Sequence, residues 1–339
     1  MNFMKKLLAA FIVIFIVLFG CITQQQQAPN ETIKNVSKNQ SITITSQTNY
    51  TIAGNVPTAE ERESKMRNEV LNAANYTYSP DKPIFVYFIY VGDGGVQADS
   101  ILIKKGDADI LIDTGPASAS TRVVQFLKER GVDDLELLIL THADKEHYGG
   151  TNAIMGNFTI GKVIWSGRTY NDNDFKQLLD SIDKRLIPVK SVLRGDVESI
   201  NGINLTVLNP IETSFASVDE DAIALKVSDR NFCVLLTSDV FGRGLDDMTK
   251  NTDVECDIVQ IPRSGADHIG VWLINLLKKS KAKVAIISGS YKEEIKGIDF
   301  RKQLFERLEQ DGIAHYENYV NGSIRIMSDG SAYDIDFVR

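Results

Sequence analysis

Apolar positions fall along this chain in distinct regimes. Leu7 to Phe19 is an unbroken apolar stretch, preceded by Lys5 and Lys6 and followed by Gly20 and Cys21. As a helix it would rise about 20 Å, short of the ~30 Å hydrocarbon core of a bilayer, so it reads as the apolar region of an export signal. Residues 22–58 lose all apolar periodicity. Asn, Gln, Ser and Thr supply 21 of these 37 positions, so the segment cannot bury enough surface to offset its ordering entropy and reads as a polar tether. Helical spacing begins after Pro57 and a capping Thr58, where Met66, Val70, Leu71 and Ala74 recur along a charged helix over 59–74.

From residue 80 strand and helix patterns interleave in two blocks. The first predicts strands at Ile84–Val91, Ile101–Lys104 and Asp109–Ile112, a helix over Ser118–Arg130 and a buried strand at Leu135–Leu140. The second predicts strands at Ile203–Leu208, Ile223–Val227, Phe232–Thr237 and Asp257–Ile261, a helix over Ile269–Lys279 and a strand at Val284–Ile287. An amphipathic helix over Arg301–Gln310 and strands at Ser323–Met327 and Ala332–Phe337 finish the chain. Two mixed sheets with helices on their outer faces account for this order. The organisation expected is a signal over 1–20, a tether over 21–58, a helical extension over 59–79 and one domain over 80–339.

Composition narrows the classes. With 43% apolar and 24% charged residues, whole-chain disorder, a collagen-like repeat and a polytopic membrane protein are excluded. The net charge of −8 argues against a protein that coats nucleic acid through its overall field. Leu18-Phe19-Gly20-Cys21 is similar to a lipobox, with Phe19 bulky for its place, so Cys21 is expected to carry lipid or, uncleaved, the apolar stretch to anchor the chain. Either outcome predicts an extracytoplasmic protein held at the cell membrane. Asn-x-Ser/Thr sequons at Asn30, Asn35, Asn39 and Asn49, with others at Asn75, Asn157, Asn204 and Asn321, offer glycosylation sites. Cys233 and Cys256 lie in strand-like segments and are expected as buried free thiols.

The candidate chemistry centres on Thr141-His142-Ala143-Asp144-Lys145-Glu146-His147-Tyr148-Gly149-Gly150. An apolar strand delivers His142, Asp144, Glu146 and His147 into a loop closed by a double glycine. Imidazoles and carboxylates so spaced can converge on one or two divalent ions. A polar capping loop is the bland alternative.

Here the chain resembles the metallo-β-lactamase superfamily, specifically the hydrolase domain of ComEC-type competence proteins, over about residues 80 to 330. Val91-Gly92-Asp93-Gly94-Gly95 is similar to that family's glycine-rich entry, Leu111-Ile112-Asp113-Thr114-Gly115 to its Leu-Ile-Asp-Thr-Gly turn and the His142–Gly150 loop to its His-x-Asp-x-Asp-His-x-Gly-Gly signature. Val207-Leu208-Asn209-Pro210 is similar to Val-Leu-x-Pro, and Leu235-Leu236-Thr237-Ser238-Asp239 to Leu-Leu-Thr-Gly-Asp. The resemblance implies an α/β (α+β) four-layer αβ/βα sandwich. It implies that His142 and Asp144 hold a first metal, zinc or manganese, Glu146 and His147 a second, and Asp239 bridges, with Asp113 orienting the loop.

Four departures qualify the resemblance. Glu146 stands for Asp, and Asn209 offers a neutral amide where a ligand is expected. Arg263, in Pro262-Arg263-Ser264-Gly265, replaces an imidazole of His-His-Gly-Ser, and a late Tyr-Gly-His-Pro element is missing from Ser290-Tyr291-Lys292-Glu293-Glu294. A guanidinium beside a second metal would repel it, so one ion at most is expected. Arg263 either clamps an anionic or phosphodiester substrate, with Asp144 and Glu146 sharing the catalysis, or pairs with the surplus carboxylates Glu146 or Asp239 in a site that has lost its chemistry. A hydrolase of phosphodiesterase or nuclease type and a catalytically degenerate surface binding protein are the two functional expectations. Nucleic acid as partner and oligomeric state stay open. His268 is a capping residue or replacement ligand, His315 is structural, and Asp219-Glu220-Asp221 reads as a solvated loop.

Overall fold

The computed structural model describes residues 59–73, 75–92, 97–265, 270–289, 294–295 and 298–338. The apolar stretch with Cys21, the tether and its sequons, Asp93–Gly95, His268 and 290–293 lie outside the described residues. No helix among the described residues is long and apolar enough to cross a membrane.

Helix α1 (Ala59–Ala73) buries Val70, which belongs to the predicted face, and Ala73, which does not, while Met66 is half-buried. The first sheet contains β1 (Ile84–Phe88), β2 (Ile101–Lys105), β3 (Ala108–Ile112), β4 (Leu137–Leu140), β5 (Val163–Trp165) and β6 (Val189–Ser191). The second contains β7 (Val197–Ile200), β8 (Ile203–Asn209), β9 (Ala224–Asp229), β10 (Phe232–Leu236), β11 (Ile258–Gln260), β12 (Val284–Ile287) and β13 (Ala314–Glu317). The chain then returns to the first sheet with β14 (Ser323–Ser328) and β15 (Tyr333–Val338), giving the orders β15-β14-β1-β2-β3-β4-β5-β6 and β13-β12-β11-β10-β9-β8-β7. Hairpins make β1, β2 and β3 antiparallel, whereas β3 to β6 and β10 to β13 run parallel through helical crossovers.

Parallel strands are buried on both faces, and β3, β4, β11 and β12 are buried throughout. Three apolar clusters result. One lies between the sheets and contains Ile84, Val86, Ile110, Ile139, Leu205, Val234 and Ile286. The others pack α2 (Ser120–Glu129), α3 (Lys145–Tyr148), α4 (Thr151–Asn157) and α5 (Asn173–Asp183) on the first sheet, and α6 (Gly242–Asn251), α7 (Val271–Ser280) and α8 (Phe300–Gln310) on the second. The layers are therefore helix, sheet, sheet, helix, as expected from the pattern.

Two sequence expectations are corrected. Cys233, on β10, and Cys256, just before β11, are not free thiols but form a disulfide across neighbouring strands, their Cα atoms 5.1 Å apart. Parallel pairing brings together residues 23 apart in the chain, which strand patterns alone do not reveal. The acidic triplet is not a solvated loop either. Asp221 is fully buried against Tyr170 and Ser214, while Glu220 holds Arg243 at 2.8 Å.

A candidate metal centre at the ends of the parallel strands

The centre forms where the sheets' parallel strands end. Ile112 of β3 leads to Asp113, Leu140 of β4 to Thr141 and His142, Leu236 of β10 to Asp239, and Gln260 of β11 to Arg263. Asp113 adopts a left-handed φ of 56° and Ser238 one of 47°, Ser238 standing where the resembled motif has glycine. Ser238 offsets that cost with its hydroxyl, whose Oγ donates to Thr141 Oγ1 at 2.9 Å and ties the end of one sheet to the other.

The double glycine has a steric cause. A Cβ on Gly149 would lie 2.5 Å from Lys145 O, and one on Gly150 would lie 2.5 Å from Thr114 O. The loop therefore closes directly onto the turn after β3, where Thr114 N donates to His147 O at 2.7 Å and Gly150 N to Gly115 O at 2.9 Å.

Asp113 is fully buried and accepts from Thr141 N at 2.8 Å, Thr141 Oγ1 at 2.6 Å and His147 Nδ1 at 2.8 Å. With Nδ1–H committed to Asp113, His147 presents Nε2 inward. His142 does the same, its Nδ1 lying 2.9 Å from Thr141 Oγ1. The two rings are 4.2 Å apart, and their Nε2 atoms approach Asp239 Oδ2 at 3.9 Å (His142) and 3.5 Å (His147). Both Nε2 atoms are buried without a hydrogen-bond partner, a costly arrangement for two ring nitrogens that one shared cation would satisfy. His142, His147 and Asp239 thus fit a divalent ion, and their ligand atoms all lie within 4.8 Å of one another.

Protonation follows the same geometry. Burial and the neighbouring His147 push His142 down to about 4, leaving its ring neutral. Burial opposes charge on His147, but Asp239 and Asp113 outweigh it and raise the ring well above its ordinary value. Burial would likewise raise Asp239, yet His147, His142 and Arg263 hold its carboxyl below the usual range.

Asp144 and Glu146 stand outside that converging set. Asp144 caps α3 by accepting from Glu146 N at 2.9 Å. Glu146 has a buried Oε2 without a hydrogen-bond partner, and burial together with Asp144 raises its carboxyl. Asn209 is structural, its amide donating to Glu220 O at 3.0 Å and Ala222 O at 2.6 Å. Arg263 forms an ion pair with Asp219. Its Nε lies 3.2 Å from Asp219, and its guanidinium carbon sits 5.0 Å from the centroid of the Phe241 ring. Burial and Asp239 push Asp219 up to about 6.

Sequence reasoning missed Asp99, Gln260 and the inward role of Asp219. Asp99 is buried beside His147, and Gln260 reaches it from the second sheet. A polar residue closing an otherwise apolar strand, Gln260 after Ile258 and Val259, was the available signal.

Residues 93–208 match the family model of the metallo-beta-lactamase superfamily. That stretch, which holds His142 and His147, is similar to the superfamily, and the two-sheet sandwich is the metallo-beta-lactamase fold. The domain is distantly homologous to ComE operon protein 3 of Bacillus subtilis (strain 168), 24% identical over 232 residues, covering 60% of this chain and 29% of that protein. It is similar to Recombination protein 2 of Haemophilus influenzae, 23% identical over 235 residues, covering 68% of this chain and 27% of that protein. A shorter stretch of 67 residues, 20% of this chain, is 39% identical to Competence protein ComA of Neisseria gonorrhoeae, covering 10% of it. The chain thus spans less than a third of the length of these curated relatives. Among solved structures, the metallo-beta-lactamase fold protein YhfI of Bacillus subtilis is similar, at 14% identity, a TM-score of 0.48 and coverage of 75% of this chain and 100% of that one.

Proposed function

We propose that the metallo-beta-lactamase domain is a metal-dependent hydrolase acting on an anionic substrate of the phosphodiester class, held by its N-terminus at the extracytoplasmic face of a membrane. The observation that carries the reading is the pair of buried, unpartnered imidazole Nε2 atoms facing one carboxylate. His142, His147 and Asp239 would hold a divalent ion, zinc or manganese, which when bound supplies an activated water and stabilises charge on oxygen. Asp113 accepts the Nδ1 proton of His147, so a cation that displaces the proton facing Asp239 would find Nε2 as its ligand. Arg263, fixed by Asp219 and Phe241, binds the substrate anion by charge-assisted hydrogen bonds. Glu146, whose Oε2 is buried without a hydrogen-bond partner, is the carboxyl that would pass a proton to the departing oxygen, while Asp144 fixes the turn that presents it. Nucleic acid is a phosphodiester of this class.

Export with lipid at Cys21, or an uncleaved anchor, is supported by the Lys5-Lys6 and Leu7–Phe19 pattern. The Cys233–Cys256 disulfide points the same way, since such bonds persist in oxidising compartments. A degenerate binding protein remains the second reading, favoured by the Arg263–Asp219 ion pair that neutralises one side of the centre.

Metal content of the purified protein decides between them. A stoichiometric zinc or manganese ion that His142→Ala removes, with hydrolysis of bis(p-nitrophenyl) phosphate, is expected. A protein empty of zinc, manganese and magnesium would sink the hydrolase.

A further inference from the structure

We propose that the cavity between α6 and α7 is a subsite for an aryl or similarly planar apolar group carried on the substrate's anionic centre. The inference rests on the hydrolase reading and deepens it. The cavity measures about 330 Å³, near the lower end of the ~300–1,000 Å³ typical of ligand pockets, so it suits one ring rather than a long chain. Its walls are Val240, Phe241, Leu245, Pro262, Trp272 and Leu273.

Position gives this apolar space its meaning. Val240 and Phe241 directly follow Asp239, and Pro262 directly precedes Arg263, so the walls continue from the two residues that bring opposite charges to the centre. A group bonded to an anion lodged beside Asp239 and Arg263 therefore meets the cavity within a few bonds. The wall in contact with the Arg263 guanidinium is aromatic. Phe241 takes the Arg263 guanidinium on its face and packs against Trp272 edge to face, at 5.9 Å between centroids and 89° between planes. An anion beside the guanidinium and a ring beside Phe241 and Trp272 would satisfy a charged wall and an apolar wall with one molecule.

The test compares phenylphosphonate with methylphosphonate, which share the anionic head and differ only in the ring. Calorimetric titration of the full-length chain in detergent, with and without zinc, is expected to show at least about tenfold tighter binding of phenylphosphonate. The chain has two tryptophans, so in a Trp165→Phe background Trp272 reports alone, and its emission is expected to respond to phenylphosphonate but not to methylphosphonate. Leu245→Phe and Leu273→Phe, which narrow the cavity from α6 and from α7, are each expected to bring the preference close to one while the thermal unfolding transition is retained. Equal binding of the two phosphonates, absence of phenylphosphonate binding, or a preference that survives both narrowed variants would overturn the subsite. Hydrolysis of bis(p-nitrophenyl) phosphate, followed in parallel, reports on the hydrolase by itself. A chain that binds phenylphosphonate preferentially without hydrolysing the diester keeps the subsite and loses the enzyme.

Discussion

Gln260 Nε2 donates to Asp99 Oδ2 across 2.8 Å, joining residues 161 apart in the chain, one closing β11 of the second sheet and the other just ahead of β2 of the first. The same side chain accepts from Thr237 N at 3.0 Å and Ser238 N at 3.1 Å, the two residues that lead into Asp239. One amide thus sets both the carboxylate behind His147 and the turn that presents Asp239.

Gln260→Ala is therefore expected to destabilise the fold by about 2–4 kcal/mol, because it leaves buried donors and a carboxylate oxygen without partners. Metal affinity should fall with it, by roughly 10- to 100-fold, as for other groups that support ligands. Urea unfolding and a chelator-competition titration measure the two effects, and a variant with native metal affinity would refute the supporting role.

Asp113→Asn should separate orientation from charge. The amide can still accept one of the hydrogen bonds now received from Thr141 and His147, but not as an anion, so the His147 ring loses its fixed proton. Zinc affinity is expected to drop roughly 10- to 100-fold with the fold intact. Circular dichroism beside a zinc titration distinguishes this from unfolding.

Gly150→Ala places a Cβ at 2.5 Å from Thr114 O, a backbone atom that cannot swing aside. A loss of about 3 kcal/mol is expected, of the order of other overpacked sites. A variant as stable as the parent would show that the loop has slack.

The pH response of stability should be governed in part far from the centre, at Glu136. Burial pushes this carboxyl up to about 8 from an ordinary 4.5, although it accepts from Asp109 N at 2.6 Å. The folded protein then keeps a proton that the unfolded chain gives up above about pH 4.5. This contribution to stability is complete below that value and is lost as pH rises through about 8. Glu136→Gln retains an acceptor oxygen and removes the titration. Its stability is expected to fall less than the parent's between acidic and alkaline buffer in paired urea series, and parallel profiles would contradict the assignment.

Much of this was legible in the chain because burial imprints itself on sequence. Ile110–Ile112 and Leu137–Leu140 are apolar runs because their strands are covered on both faces, and the layered architecture follows from their order. The short edge strands β6 and β7 gave no such signal, since Val189, Lys190 and Ser191 are all exposed and Val197 to Ser199 remain open to solvent. Helix α6 escaped for a related reason, its Gly242 and Gly244 reading as loop while a Cβ on either would strike Glu220. At the centre, His142 and His147 were visible as a local pattern. Asp99, Asp219 and Gln260 were not, because their significance comes only from contacts between distant segments.

The disulfide joins Cys233 to Cys256 and so closes a covalent ring around everything between them, Asp239 and helix α6 included. A cut in that stretch would open the polypeptide without releasing either piece. The nicked protein would still migrate as one molecule until a reductant separated it, and Asp239 would remain tethered to the sheet from which it is presented.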